Sequence, residues 1–168
     1  MVVPTWCPQL SCQARRSPKF SLKVGSLSEN AIISIRPKFV QAIVSGVKTV
    51  EVRRRIPPIQ AGTALWIYAT LPIGAVVAVA VAAQIFRGHP DELWASFGAK
   101  TGITKEDFDS YFEGTASGVC IDLGHVREIS PISIRQLRSM RVGFNPPQVI
   151  SKITAAEARF LEGFSRPV

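Results

Sequence analysis

Hydrophobic and polar positions alternate or repeat in short blocks along residues 31–163, and these blocks predict short strands and short helices. A five-residue apolar run at residues 31–35 predicts a strand. Pro37 suits the first position of a helix and Gly46 its end, and one apolar stripe lies between them, formed by Phe39, Val40, Ile43 and Val44. The chain therefore begins its regular structure with a strand and a helix of about ten residues.

Residues 48–55 alternate in the way that a strand with two different faces does. Val50 and Val52 point to one side, whereas Thr49, Glu51 and Arg53 point to the other. Because Glu51 and Arg53 are two positions apart, their side chains share a face and can pair. This segment therefore predicts a strand whose polar face carries chemistry.

A run without charged residues extends from Ile56 to Phe86. Pro57, Pro72 and other prolines and glycines divide it into pieces shorter than the roughly 20 residues that a membrane helix needs. We expect two adjacent buried strands instead, Ala64–Ala69 and Ala75–Phe86, joined by a turn.

The remaining pattern predicts helices and strands in alternation. Helices are expected to begin near Pro90 and Thr104, a strand at residues 119–123, a helix capped by Ser133, and a last helix opened by the capping box Thr154 to Glu157. Residues 143–148 contain paired prolines and should be extended. Strands interrupted by short helices, with no repeated strand–helix–strand unit, predict an α+β fold with a small, mostly antiparallel sheet or barrel.

Charge is unevenly distributed over the 168 residues, whose net charge is +8. Residues 1–60 hold ten Lys and Arg against two acids, whereas residues 89–114 hold six acids against two lysines. A basic patch is typical of a nucleic-acid binder, and surplus charge for solubility is the alternative that remains open.

Three parts are predicted along the chain: a poorly ordered basic arm at 1–28, one domain at 29–153, and a C-terminal helix at 154–168. Three cysteines cannot form a disulfide framework without one left over, so we expect a cytoplasmic protein. Neither of the two histidines, His89 and His125, lies near a cysteine at a ligand spacing, so we expect no metal and no cofactor.

The motif Gly46-x-Lys48-x-x-Glu51-x-Arg53, with Ser34 to Pro37 just upstream, carries the densest chemical signal. It resembles the signature of the ASCH domain, a family of the PUA-like β-barrel superfamily, and residues 131–133 and 144–148 also resemble segments of ASCH proteins. The resemblance implies a barrel of five or six strands with a cleft near the motif, and a role in RNA binding.

Two kinds of ASCH activity are implied as alternatives to binding alone. Some members are implicated in RNA cleavage, and small relatives deacetylate acetylated cytidine nucleosides. Those amidohydrolases resemble this chain at Lys48 and Arg53, but Glu51 stands where they have a catalytic threonine, and their catalytic glutamate falls near Thr101.

The predicted function is an RNA- or nucleotide-binding domain, with a regulatory role as one option. The alternative is a hydrolase acting on a modified nucleoside or on RNA, with Lys48 and Glu51 as the catalytic pair. A third reading is a protein-interaction domain that uses the acidic helices. The predicted binding residues, several of them arginines that suit phosphate, are Arg36, Lys38, Lys48, Glu51, Arg53, Arg54, Arg55, Tyr68 and Thr70.

The motif residues also have a purely structural interpretation. Glu51 would then be an acid that holds Arg53 in place, and Arg54 and Arg55 would be solvated at the end of a strand. Lys48, if crowded by the three arginines, would instead be a better base or nucleophile than an ordinary surface lysine.

Overall fold

A computed structural model of the chain describes residues 29–166. The basic arm predicted for residues 1–28 lies outside the described residues. Six strands and five α-helices are present in the described part, in the order β1 (Asn30–Ile35), α1 (Pro37–Val44), β2 (Val50–Arg53), β3 (Ala64–Ala69), β4 (Ala75–Gly88), α2 (Pro90–Phe97), α3 (Lys105–Phe112), β5 (Gly118–Ser133), α4 (Ile134–Met140), β6 (Ile150–Ile153) and α5 (Ala155–Phe164).

The strands form one sheet in the order β2-β5-β4-β3-β1-β6. All neighbouring pairs are antiparallel except β1 and β3, which are parallel. The α+β fold and the mostly antiparallel sheet are therefore confirmed. The predicted barrel is not, because no hydrogen-bonded pairing joins the edge strands β2 and β6 within residues 29–166.

The parallel pair determines where the neighbouring elements meet. Ser34 is in register with Tyr68, and Ile35 with Ala69, so β1 and β3 end at the same edge of the sheet. The N-terminus of α1 follows β1 at this edge, and the turn at residues 70–74 follows β3. Side chains from both segments are thereby brought together.

Alternate residues of the central strands pack on opposite faces of the sheet. Ile33, Leu65 and Ile67 pack with α1 residues such as Ile43 on one face. Ile32 and Trp66 lie in a second cluster with residues of α4 and α5. The uncharged run thus forms the buried strands β3 and β4, and no helix within residues 29–166 is long and apolar enough to cross a membrane.

The structure differs from the sequence prediction mainly in β5 and β6. β5 continues through Pro131 to Ser133, past an irregularity where its pairing with β4 shifts and His125 has a φ of 49°. A shift of this kind changes which face a residue occupies, so the apolar alternation breaks there. β6 has four residues, too few to show a pattern. The predicted caps at Ser133 and Thr154 are both present as full capping boxes.

Candidate functional site

A cleft of about 1080 Å³ lies where β1 and β3 end. It is neither an enclosed cavity nor a flat surface. Its walls come from the N-terminus of α1, the turn after β3, one side of α3, α4 and the segment before β6, and β2 contributes to its floor. The polar residues that line it are Ser34, Arg36, Lys38, Lys48, Glu51, Arg53, Tyr68, Thr70, Asp107, Ser110, Tyr111, Arg138 and Gln148.

The floor of the cleft is a chain of three charged side chains with Glu51 in the middle. Glu51 Oε2 lies 3.2 Å from Lys48 Nζ, and Glu51 Oε1 lies 2.9 Å from Arg53 Nη2. The side chains of Lys48, Glu51 and Arg53 are only 2%, 8% and 14% exposed. We call these three residues the floor triad. One carboxylate thus compensates two largely buried cations.

Lys48 is held by contacts from distant parts of the chain. Its ammonium donates to the carbonyl oxygens of Val50 and Thr101, at 2.8 and 2.6 Å, so with Glu51 it has an acceptor for each of its three protons. Gly102 packs closely over its stem: a Cβ there would lie 3.1 Å from Lys48 Cβ, and the φ of +67° also favours glycine. Lys48 is therefore a fixed, fully hydrogen-bonded cation.

Arg53 connects β2, at one edge of the sheet, to β1, the second strand from the opposite edge. Besides Glu51, its Nη2 atom donates to the backbone carbonyl of Ser34 at 2.7 Å. β2 and β1 are not neighbours in the sheet, so this contact shows that the open sheet curls until its β2 edge approaches β1. Within residues 29–166, the buried Ser34 hydroxyl and Arg53 Nε have no hydrogen-bond partner. The floor therefore contains two uncompensated polar atoms beside its ion pairs.

Basic and hydroxyl groups surround the floor on the side of α1, β3 and α4. Arg36 and Lys38 lie at the start of α1, and Arg138 lies on α4. Burial raises the pKa of the Tyr68 hydroxyl, an effect opposed by the charge of Arg138. Tyr68 therefore keeps its proton at neutral pH and is a hydrogen-bond donor there.

The wall formed by α3 has a different chemistry. Asp107, Ser110 and Tyr111 line the cleft from positions i, i+3 and i+4 of the helix, which lie on one face. Arg54 fastens this helix to β2, since its Nε donates to the Tyr111 carbonyl at 2.5 Å and its guanidinium lies 5.3 Å from the centre of the Tyr111 ring. The cleft thus has a basic side and a side that carries a carboxylate, a hydroxyl and an aromatic ring.

Comparison with known proteins identifies the family. The ASCH domain matches residues 33–133. A protein of Zymomonas mobilis named ASCH domain-containing ribonuclease is 36% identical over 140 residues, which is 83% of this chain and 95% of that protein. The chain belongs to the ASCH family.

Solved structures agree with that assignment. The crystal structure of ASCH from Zymomonas mobilis has 37% sequence identity and a TM-score of 0.80, covering 83% of this chain and 97% of the crystallised one. A mutant of ASCH from the same organism gives 36% identity and a TM-score of 0.79, covering 82% and 99% of the two chains. The predicted resemblance is confirmed over nearly the full length of these relatives.

Seven of the nine predicted binding residues line the cleft of this ASCH domain: Arg36, Lys38, Lys48, Glu51, Arg53, Tyr68 and Thr70. Arg54 and Arg55 do not. The strand ends at Arg53, so the next two side chains are exposed outside the cleft. The charged group nearest to the Lys48 ammonium is the Glu51 carboxylate. Two of the three arginines expected to crowd Lys48, Arg54 and Arg55, are exposed outside the cleft.

Sequence reasoning missed the α3 face and Arg138. One signal for Tyr111 was available, because Phe108 and Phe112 form the buried stripe of α3 and Tyr111 lies outside it. No local sequence pattern indicates that Arg138 lines the cleft, because its position there depends on how α4 packs. His89 caps α2, and within residues 29–166 no three His, Cys, Asp or Glu side chains cluster as a metal site would require.

Proposed function

We propose that this ASCH domain binds single-stranded RNA in the cleft and cleaves its phosphodiester backbone by transesterification. The 2′-hydroxyl oxygen of the preceding ribose bonds to phosphorus as the bond from phosphorus to the 5′-oxygen breaks. Solvent takes the 2′ proton and protonates the leaving 5′-oxygen, which gives a 2′,3′-cyclic phosphate and a free 5′-hydroxyl. The floor triad is the observation that carries the proposal, because it fixes one guanidinium among basic walls. The similarity to a protein named a ribonuclease supports RNA as the substrate. Cleavage of RNA is the alternative that the sequence predicted beside binding alone, and a regulatory role stays a prediction.

Arg53 is assigned to the phosphate. A guanidinium offers paired donors that match phosphate oxygens and never loses its charge. Glu51 and Ser34 hold Arg53 before any ligand arrives, so it needs no reorganisation when negative charge grows on the phosphoryl oxygens in the transition state. The Ser34 hydroxyl and Arg53 Nε have no partner within residues 29–166, which costs stability. A role in binding or catalysis is one explanation for buried polar groups of this kind.

Lys48 and Glu51 are assigned to positioning rather than to proton transfer. Each ammonium proton of Lys48 has an acceptor, and both oxygens of Glu51 contact cations. A general base must lie within hydrogen-bond reach of the proton that it takes, and the Glu51 side chain is only 8% exposed between the two cations that it contacts. The contacts of Glu51 instead orient Arg53, which agrees with the structural interpretation of the motif.

The walls of the cleft suit a short stretch of nucleotides. Its volume of about 1080 Å³ is slightly above the range for pockets that bind small molecules, roughly 300–1000 Å³. Arg36, Lys38 and Arg138 place positive charge for flanking phosphates. The hydroxyls of Tyr68 and Thr70 offer hydrogen bonds to sugar or base.

Cleavage of a labelled single-stranded RNA tests the proposal. Wild-type protein should cut the RNA, and Arg53→Lys should reduce the rate by about tenfold or more, because lysine keeps the charge but loses the paired donors. Arg55→Lys, the same change outside the cleft, should leave the rate unaltered. Absence of cleavage together with turnover of an acetylated cytidine would overturn the proposal in favour of the amidohydrolase alternative.

A further inference from the structure

We infer that the α3 face of the cleft selects the base of the bound RNA, and that Asp107 gives it a preference for guanine. This inference rests on the proposed function and adds the substrate specificity of the same cleft. It starts from the asymmetry of the site: phosphate-binding groups lie on the floor and one side, and the only acid on the opposite side that lines the cleft within the described residues is Asp107.

Asp107 is exposed and unpaired, unlike its neighbour on the same helix. Asp109 pairs with Lys105 at 2.5 Å. The carboxylate of Asp107 makes no ion pair or hydrogen bond to any described residue, while its backbone NH is bonded to the Thr104 cap. A free carboxylate in a cleft for a polyanion repels phosphate. That repulsion is offset when the carboxylate meets hydrogen-bond donors on a base.

The donor pattern of the four bases decides which one fits. A carboxylate accepts through two oxygens and donates nothing when ionised. Guanine presents two adjacent donors on its Watson–Crick edge, N1–H and the N2 amino group, so it can bind both oxygens. Adenine and cytosine present an amino group beside a ring nitrogen acceptor, which repels the second oxygen, and uracil presents one NH between two carbonyls. Guanine is therefore the base that Asp107 favours most.

Ser110 and Tyr111 complete this surface. Ser110, one turn after Asp107, carries a hydroxyl that both donates and accepts, so it can serve a carbonyl such as guanine O6. Tyr111 is 37% exposed, and its ring is held by an edge contact to Phe112 and by Arg54. A supported aromatic ring in a nucleic-acid cleft is a stacking platform for a base. One helix face thus offers both stacking and hydrogen bonds to the base.

Cleavage of RNA oligonucleotides that differ at one base tests the inference. Wild-type protein should cut the guanine oligonucleotide about tenfold faster than the uracil one, the scale of one bidentate base contact. Asp107→Asn should reduce this ratio to nearly one, because the amide replaces one acceptor by a donor. Asp109→Asn removes the same charge from the same helix outside the cleft, and it should keep the wild-type ratio.

The outcomes separate this inference from the proposed function. Cleavage that is equally fast for all four bases, or an Asp107→Asn variant that slows every substrate by the same factor, overturns the base-reading role and leaves the ribonuclease intact. A wild-type protein that neither binds nor cuts any of the oligonucleotides overturns both. Because both aspartates are exposed and the Lys105–Asp109 pair is a surface contact, the melting temperatures of the two variants should lie within a few degrees of the wild-type value.

Discussion

Two Arg–Glu pairs in this molecule have similar geometry but differ in how exposed the arginine is. At the cleft floor, Arg53 Nη2 lies 2.9 Å from Glu51, and the two side chains are 14% and 8% exposed. Near the C-terminus, Arg141 Nε lies 2.6 Å from Glu157; this arginine is 42% exposed, and the glutamate is 12% exposed. Glu157 also accepts hydrogen bonds from the backbone NH and hydroxyl of Thr154 at the start of α5.

This difference in the exposure of the arginine indicates what each pair does. The outer pair fastens the first turn of α5, and water solvates its arginine, so it is a local stabilising contact. The floor pair includes a third buried charge, Lys48, and removing such groups from water costs more than a surface pair gains. On the proposed function, the floor triad orients Arg53 for a ligand, whereas the outer pair stabilises the start of α5.

The largest expected effect comes from Glu51→Gln. The amide has no charge, so Lys48 and Arg53 lose their common counterion in a buried place. The free energy of unfolding should fall by about 3–5 kcal/mol, as when one partner of a buried ion pair is removed. Urea denaturation measures this loss. A change below about 1 kcal/mol, typical of a surface pair, would show that the two pairs do not differ as described.

Glu157→Gln should have a smaller effect, of about 1 kcal/mol, on the free energy of unfolding. The Arg141 guanidinium, with the Thr154 cap, lowers the pKa of Glu157 from 4.5 to about 2. A carboxyl whose pKa is depressed by folding contributes stability above its unfolded value and loses it as the pH falls through the folded value. The stability difference between wild type and variant should therefore vanish between pH 5 and 2. A difference independent of pH would contradict this account.

The smallest effect is expected at the rim of the cleft, where Arg138→Ala removes one proposed phosphate contact. The slope of log K for RNA binding against log salt should become shallower by about one, while stability changes little. Arg55→Ala is the matched control, because it removes the same charge from an exposed position outside the cleft. Equal slopes for the two variants would indicate nonspecific attraction to the basic surface.

Local patterns in the sequence were enough to predict many of the residues that line the cleft. The i, i+2 spacing of Glu51 and Arg53 already places them on one strand face, and Pro37 sets Arg36 and Lys38 at a helix start. The burial of Lys48 was not predictable, because its acceptor on Thr101 lies 53 residues away in the chain.

The same limit explains what was missed in the fold and the site. An unbroken barrel was expected, but closure depends on whether β2 and β6 meet, which no local pattern states. Arg54 and Arg55 follow the motif directly, yet the end of β2 at Arg53 turns them away from the cleft. In the sequence, Asp107 and Ser110 look like ordinary solvated positions of a helix. They line the cleft because α3 packs against β2, and no local pattern shows that packing.

The most direct test of the account is a crystal structure of the protein with a short single-stranded RNA whose 2′-hydroxyls are methylated to prevent cleavage. We predict a phosphate oxygen within about 2.7–2.9 Å of the Arg53 guanidinium. The Lys48–Glu51–Arg53 contacts should be unchanged, since they are already formed without ligand. A complex in which the RNA lies along the exposed Arg54 and Arg55 surface, with the floor of the cleft uncontacted, would contradict the account.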